Sequence, residues 1–275
     1  SAIMEISVII PTYKPQSYLW ECLDSLVDQT FDKGLFAVTL VLNGCTEPWK
    51  SQIEAYISCR MQGMNVNFIH TEQGGVSNAR NLALDVVQGE YVTFIDDDDY
   101  ISPSYFEELY GKASHDVVSL SYAYAFNDGH PEVQRKYSIT ETYNYCITNG
   151  VDKLSSKARK YFSGPCMKLI PMNFIQNRRY DVRFKNGEDS LFMFSISDKI
   201  DKVAFTSKKA IYYRRYREGS AVFVSRTKKQ RILNCIRLIG EYSKIYKVKR
   251  HSLYFYLSRV AAELISIFNV VLSKI

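Results

Sequence analysis

Four consecutive carboxylates, Asp96 to Asp99, are the side chains of this sequence best suited to chemistry. They end an apolar run at residues 89–95, whose β-branched and aromatic side chains are typical of a buried strand. Open α/β sheets place their ligands at the carboxyl ends of strands. Adjacent carboxylates repel one another, and a hard divalent cation that carries a substrate diphosphate would neutralise them. The alternative is a solvated acidic turn, and the strongly apolar strand favours the cation site.

A second acidic site is the pair Glu188 and Asp189, which directly precedes an apolar helical pattern that includes Leu191 and Phe192. The pair is therefore predicted at a helix N-terminus, where the helix dipole favours ionised carboxylates. We expect this position to keep the pKa of Asp189 low enough for its carboxylate to be charged. Acids in the first turn of a helix are also ordinary stabilising residues, so a purely structural role stays open.

Three arginines interleaved with tyrosines, Arg214, Arg215 and Arg217, form a basic stretch near residue 215. Guanidinium groups match the geometry of phosphate oxygens, so we predict that this stretch contacts a diphosphate. A basic surface turn is the alternative.

Strand and helix patterns alternate through the first half of the chain. Apolar runs at residues 5–10, 37–42 and 66–69 predict three strands that precede the acidic strand. We expect Pro11 to end the first strand, because proline cannot continue a central strand. The alternation predicts βαβ units, an α/β fold and a mostly parallel sheet. No dinucleotide-type glycine motif opens the first helix.

One of the predicted helices follows Gly74 and Gly75. Ser77 is its expected N-cap, and Arg80 and Asn81 are expected on the side opposite its apolar residues.

Composition limits the class of protein and its location. The chain has 275 residues, of which 46% are hydrophobic and 23% are charged, as in an ordinary globular protein. The net charge of +6 suits an anionic substrate or membrane surface and does not by itself indicate nucleic acid. Six scattered cysteines without a CxxC pair predict a reducing, cytoplasmic location, which leaves the inner face of a membrane open. We find no apolar run that should cross a bilayer.

The second half of the chain has weaker patterns. Residues 125–160 are polar and tyrosine-rich, and we expect an insertion or loop there. Residues 226–275 predict a helical extension with an apolar stripe that packs on the protein itself, on a second copy or on a membrane surface. Packing on the protein itself is the most frequent outcome. The stripe comprises Leu253, Leu257, Val260, Leu264, Ile267, Val271 and Ile275, and the nearby cations are Lys244, Lys247, Lys249 and Arg250. Arg259 and Glu263 interrupt it.

Four motifs in this order resemble the family 2 glycosyltransferases, which have a GT-A fold. They lie at residues 8–13 (VIIPTY), 43–46 (NGCT), 75–81 (GVSNARN) and 94–99 (FIDDDD). The GEDSLF stretch at residues 187–192 is similar to the family's acceptor-side motif. The second motif departs from the family, which has Asp-Asp-Gly-Ser there, with an aspartate that accepts a hydrogen bond from the base.

The resemblance implies an inverting transferase that uses a nucleotide sugar and Mn²⁺ or Mg²⁺. Asp98, with help from Asp96, would hold the metal, and Asp189, assisted by Glu188, would be the acceptor base. The donor residues that it implies are Pro11, Thr12, Tyr13, Asn43, Arg80, Asp96 and Asp97, with Arg214, Arg215 and Arg217 at the diphosphate. Asn43 can still accept a hydrogen bond from uracil through its amide oxygen, and it also suits a tight turn.

The resulting prediction divides the chain into a GT-A domain at residues 1–225 and a helical extension at residues 226–275. The nucleotide-sugar half is about 1–120 and the acceptor half about 121–225. The family suggests a UDP-sugar donor and a bacterial surface polysaccharide or glycolipid acceptor, with no nucleic acid. A homodimer through the C-terminal helices and peripheral membrane contact stay open.

Two other functions use a similar site, and the sequence argues against each of them. A sugar-nucleotide-forming nucleotidyltransferase lacks support, because no glycine-rich loop with a lysine follows the first strand. A non-catalytic sugar-nucleotide-binding module is disfavoured by the retention of both acidic sites.

Overall fold

The computed structural model describes residues 3–218, 226–248 and 251–273. The strands are β1 (Ile6–Thr12), β2 (Phe36–Asn43), β3 (Asn65–Thr71), β4 (Tyr91–Phe94), β5 (Tyr100–Ile101), β6 (Val117–Leu120), β7 (Tyr122–Asn127), β8 (His130–Gln134), β9 (Lys168–Pro171), β10 (Lys202–Phe205) and β11 (Ile211–Tyr216). The helices are α1 (Tyr18–Val27), α2 (Trp49–Arg60), α3 (Val76–Leu84), α4 (Tyr105–Lys112), α5 (Ser138–Thr148), α6 (Met172–Ile175), α7 (Glu188–Ile196), α8 (Lys228–Val248) and α9 (Leu253–Leu272), with 3-10 turns at Ala158–Ser163 and Ser197–Lys199.

The central sheet of the described part has the strand order β10-β6-β9-β4-β1-β2-β3. β1 pairs in parallel with β2 and β4, β2 pairs in parallel with β3, and β9 is antiparallel to both of its neighbours. A smaller sheet has the order β5-β11-β7-β8. The predicted α/β fold with a mostly parallel sheet and C-terminal helices is confirmed. The predicted domain boundary at residue 225 falls outside the described residues, and that division stays a prediction.

The prediction that Pro11 ends the first strand is wrong. β1 continues through Pro11 to Thr12, and Pro11 stands opposite Val41 of β2. β4 accompanies β1 only as far as Ile9, so beyond that residue β1 has one paired edge. A proline is tolerated where one side of a strand needs no ladder hydrogen bond.

Helix α3 differs from its prediction at its start and on one face. Gly75, with φ of 126°, occupies the N-cap position, and Ser77 lies inside the first turn. Arg80 is buried together with Ala79 and Ala83. The expectation that Arg80 lies on the opposite side is therefore wrong. Its guanidinium is buried because it pairs with the carboxylates of Asp96 and Asp189.

Residues 125–160 are not a single loop, because they include β8, α5 and the end of β7, whereas the expectation of an insertion stays a prediction. β7 carries Tyr122 and Tyr124 on one face and buried Ala123 and Ala125 on the other, an alternation that the sequence contains. The Tyr143 ring of α5 packs edge-on against Tyr122, with centroids 5.1 Å apart.

The C-terminal helices α8 and α9 pack against each other and, through Leu238 and Tyr242, on the body of the protein. The predicted stripe on α9 does not pack inward, since Leu253, Leu257, Leu264 and Val271 are all exposed. Ile275, Lys249 and Arg250 lie outside the described residues. By length and mean hydropathy of 1.5 alone, α9 also meets the criteria for a membrane-crossing helix, contrary to our expectation.

Candidate active site

The acidic run lies where β4 ends, beside the end of β1, and its four carboxylates divide into two kinds. Asp97 and Asp99 are tied to neighbouring strands by uncharged donors. The Thr12 hydroxyl donates to Asp97 Oδ2 at 2.6 Å, and the Tyr212 hydroxyl donates to Asp99 Oδ2 at 2.7 Å. The backbone N–H of Arg215 donates to Asp99 Oδ1 at 2.8 Å. These two aspartates therefore fix the run to β1 and β11.

Asp96 and Asp98 have charged partners instead. Arg217 Nε donates to Asp98 Oδ2 at 2.7 Å, and Arg214 Nη1 lies 3.6 Å from Asp96 Oδ2. The Arg217 guanidinium also covers the Tyr18 ring, 4.5 Å from its centroid. Asp96 and Asp98 are thus the members of the run that face positively charged groups.

Arg80 joins the two acidic sites. Its Nη1 donates to Asp189 Oδ1 at 2.5 Å, and its Nη2 donates to Asp96 Oδ1 at 3.2 Å. The Arg80 side chain is only 3% exposed, and the Tyr180 ring lies 5.2 Å from the guanidinium carbon. A buried guanidinium is stable only when it is paired, and these two carboxylates supply the pairing. The interaction brings the strand end and the N-terminus of α7 together at one point.

The N-terminus of α7 depends on Gly187. This residue has φ of 79°, a left-handed conformation that favours glycine. A Cβ atom there would also lie 2.5 Å from Leu238 Cδ1 of α8. The C-terminal extension therefore packs directly behind Glu188 and Asp189.

Burial controls the pKa values of both acidic sites. It raises the pKa of Asp97 to about 7, and the carboxylate of Asp98 adds to the shift. Burial likewise raises the pKa of Asp189. The Arg80 guanidinium lowers this pKa but does not cancel the rise. At Asp189 the loss of water thus outweighs the helix terminus in setting the pKa, and the expectation that the carboxylate is charged stays a prediction.

The three arginines of the basic stretch lie in different environments. Arg214 and Arg217 face the acidic run. Arg215, one position along β11, directs Nη2 to Glu21 at 2.8 Å and Nη1 to Asp128 at 2.7 Å. With its charge already paired, Arg215 is not placed for the predicted diphosphate contact, and it connects α1 to β11 and the turn after β7.

The loops at the ends of β1 and β2 form the other side of the cleft. The Tyr13 ring is 53% exposed, and Lys14 Nζ lies 5.3 Å from its centroid. Both ends of the Asn43 amide bind the backbone, because Nδ2 donates to the Thr12 carbonyl and Oδ1 accepts from Gly75 N–H, each at 2.9 Å. Asn43 therefore holds two loops together, and the predicted contact between its amide oxygen and a base stays a prediction.

A divalent cation fits the chemistry of Asp96 and Asp98. Both offer carboxylate oxygens, which Mg²⁺ and Mn²⁺ prefer, and magnesium sites often combine one or two carboxylates with substrate phosphates. No group of three or more His, Cys, Asp or Glu side chains within the described residues is arranged to hold a metal, so the substrate would have to supply the other ligands. Arg214 Nε, beside Asp96, is buried and has no acceptor in the described part of the chain. This N–H group suits an added anion.

Sequence analysis missed Tyr212 and Lys168. The Tyr212 hydroxyl accepts from Asp96 N–H at 3.1 Å while it donates to Asp99. Lys168 is fully buried, and its Nζ donates to the carbonyls of Gly164 and Cys166 at 2.6 and 2.7 Å. Burial lowers the pKa of Lys168 to about 7. A lysine inside the apolar β9 pattern was the available signal.

Comparison with known proteins identifies the class that this fold and cleft define. The family model for glycosyl transferase family 2 matches residues 7–179. The chain therefore belongs to glycosyl transferase family 2, as its motifs suggested.

Two relatives among characterised proteins are similar over most of this chain. It is 26% identical over 223 residues to the minor teichoic acid biosynthesis protein GgaB of Bacillus subtilis, covering 79% of this chain and 24% of GgaB. It is 28% identical over 229 residues to the poly(ribitol-phosphate) beta-N-acetylglucosaminyltransferase TarS of Staphylococcus aureus, covering 81% of this chain and 38% of TarS. The chain thus spans well under half the length of either relative.

Solved structures share the fold. The structure of S. aureus TarS 1–349 in complex with UDP-GlcNAc matches with a TM-score of 0.72 and 23% identity, covering 97% of this chain and 73% of that one. The mannosyltransferase PcManGT of Pyrobaculum calidifontis, in complex with GDP-Man and Mn²⁺, matches with a TM-score of 0.62 and 14% identity, covering 100% of this chain and 77% of that one.

Proposed function

We propose that this chain transfers a sugar, with inversion, from a UDP-sugar to a hydroxyl group of a bacterial surface polysaccharide of the teichoic acid type. The observation that carries the proposal is that the Arg80 guanidinium donates to both Asp189 and Asp96. It thereby holds the proposed base close to a carboxylate that suits a metal ion. A transferase needs a base for the acceptor and a charge sink for the diphosphate in one cleft. The names of GgaB and TarS support the acceptor class, and the UDP-GlcNAc complex of TarS supports the donor.

Asp189 is the proposed base. It accepts the proton of the acceptor hydroxyl while that oxygen attacks the anomeric carbon and the bond from this carbon to the diphosphate oxygen breaks. The nucleoside diphosphate leaves with the bonding electrons. A single displacement inverts the anomeric configuration. The raised pKa of Asp189 makes its carboxylate a stronger proton acceptor than an exposed aspartate, while Arg80 keeps it in place.

The other cleft residues bind and orient the donor in this proposal. A cation on Asp98 and Asp96, Mn²⁺ or Mg²⁺, would offset the charge of the diphosphate. Arg217 and Arg214 hold those two aspartates in the structure and are placed to transfer hydrogen bonds to phosphate oxygens. Pro11, Thr12 and Tyr13 line the proposed base and ribose side. We place the reaction at the cytoplasmic side of the membrane.

The proposal is tested by measuring UDP release from a panel of UDP-sugars with Mn²⁺, with and without poly(ribitol phosphate). We expect release that depends on both the metal and the acceptor, together with transfer of the sugar to the polymer. Pyrophosphate formation from a sugar phosphate and UTP would instead show a nucleotidyltransferase. Donor binding without any release or transfer, across the panel of donors, would show a binding module.

A further inference from the structure

Helix α9 has its apolar face toward the outside and its charged residues toward the protein, the reverse of an ordinary surface helix. Its outward face is apolar, with side chains that lie one or two helical turns apart and are 52–62% exposed. These are Leu253, Tyr254, Leu257, Leu264, Ile265, Phe268, Val271 and Leu272. We call this set the α9 outer face. Soluble proteins rarely expose a continuous apolar surface along a whole helix.

The two charged residues of α9 lie on its inner side. Arg259 Nη2 donates to the Phe162 carbonyl at 2.7 Å, and Arg259 Nη1 donates to the Ser163 hydroxyl at 3.3 Å. Glu263 is half-buried on the same side, one helical turn along. The protein therefore satisfies the polar groups of α9 internally and leaves its apolar side outside.

Positive charge lies on the neighbouring helix α8 and at both ends of the outer face. Residues 226–248 carry seven lysines and arginines and one carboxylate, Glu241, which gives them a net charge of +6. This charge equals the net charge of the whole chain. Lys228 Nζ donates to the Ser273 carbonyl at one end of α9, and the Arg159 guanidinium lies 4.7 Å from the Tyr254 ring centroid at the other. Cations thus flank the apolar surface at both ends.

We propose that the α9 outer face and the exposed cations of α8 form a docking surface for an anionic lipid bilayer. An apolar helix face in the acyl boundary combined with adjacent lysines and arginines at the headgroups is the arrangement that interfacial helices use. Charge distinguishes this occupant from a second copy of the chain, because two copies meeting here would bring like-charged α8 helices together. The contacts of Arg259 keep α9 on the protein body, which places it on the membrane surface and not across it.

The inference goes beyond the proposed function, and its test does not require an active donor. Co-sedimentation of the full chain with phosphatidylcholine vesicles is compared with vesicles that also contain phosphatidylglycerol. We expect binding that requires phosphatidylglycerol and weakens at high salt. The double variant Leu264→Ser/Phe268→Ser should lower the partition coefficient at least about tenfold. The matched control, Val133→Ser/Val182→Ser, removes two equally exposed apolar side chains elsewhere and should bind like wild type.

A second pair of variants tests the charges. Lys229→Glu/Arg237→Glu alters exposed cations of α8 and should weaken binding to phosphatidylglycerol vesicles about fivefold for each cation removed. Lys112→Glu/Lys209→Glu makes the same net charge change elsewhere and should have a smaller effect.

Three results would overturn the proposal. The first is equal binding by wild type and Leu264→Ser/Phe268→Ser. The second is a dimer in sedimentation velocity that this variant dissociates, with no vesicle binding by wild type, which would make the face a contact between copies. The third is retention of the protein in vesicles after alkaline carbonate extraction, which would mean that α9 crosses the bilayer.

Discussion

The acidic run at the end of β4 and the acid pair at the start of α7 are chemically similar and structurally different. Two of the four carboxylates in the run, Asp97 and Asp99, bind hydroxyl groups from other strands and hold the cleft together. In the pair, Asp189 is held by Arg80, which at the same time donates to Asp96. In the function that we propose, the difference separates two tasks, since the run positions charge and the pair moves a proton.

The largest effect is expected from the proposed base of the acid pair. Asp189→Asn is nearly isosteric and keeps an oxygen that can accept from Arg80, so folding and donor affinity should persist. The transfer rate should fall by roughly 10²–10⁴-fold, the usual contribution of a positioned general base. Transfer rate and donor affinity are measured together, with Glu188→Gln as the matched control, which should lose less activity. A near-normal rate in Asp189→Asn beside an inactive Glu188→Gln would reverse the roles of the two acids.

Asp98→Asn tests the metal role of the run. Metal-dependent donor affinity should fall about 10²-fold, toward the upper range for an interaction between charged groups, while the melting temperature changes little. Calorimetric titration of UDP with and without Mn²⁺ gives both affinities. Asp128→Asn, which alters an acid paired with Arg215 outside the run, is the control. Wild-type metal dependence in Asp98→Asn would remove this residue from the site.

The basic stretch contains two arginines with different expected roles, Arg217 and Arg215. Arg217→Ala should weaken UDP binding by roughly 1.5–3 kcal/mol, the range for hydrogen bonds to charged groups. Arg215→Ala should instead lower stability, because Glu21 and Asp128 lose their shared partner, and leave UDP affinity nearly unchanged. Urea unfolding and UDP titration of both variants separate the effects. Equal loss of affinity in the two variants would contradict the assignment.

The smallest effect is a pH dependence of the metal-free protein. The pKa of Asp97 is about 7 in the folded state and near 3.8 without the fold, so the folded state binds the extra proton between these values. Wild type should therefore lose stability relative to Asp97→Asn as pH rises from about 4 to about 7. A relative decrease in melting temperature of at least about 2 °C is expected, since 1 kcal/mol gives about 2–4 °C for a large domain. If the melting temperatures of wild type and Asp97→Asn changed equally with pH across this range, Asp97 would have an ordinary pKa.

Much of the fold followed from local patterns. Alternating apolar strands and helices predicted β1 to β4, and the apolar run before Asp96 predicted that the four acids lie at a strand end. The start of α7 at Glu188 was also predicted. These features depend on short-range periodicity and strand-end placement, which a sequence carries directly.

The errors share one cause. The burial of Arg80 and the outward turn of α9 depend on partners that are distant in sequence. A buried guanidinium is acceptable only once Asp96 and Asp189 are beside it, and no helical pattern reveals that. Similarly, Arg259 turns inward because the Phe162 carbonyl is available, which leaves the apolar face of α9 outside.

The stereochemistry of the product tests the central claim most directly, because a base at Asp189 and a single displacement permit one outcome. An α-configured UDP-sugar is converted in the presence of Mn²⁺, and the anomeric proton of the product is observed by NMR before any rearrangement. The account predicts a β-linked product. An α-linked product would mean two displacements or front-side attack, and it would contradict the role given to Asp189.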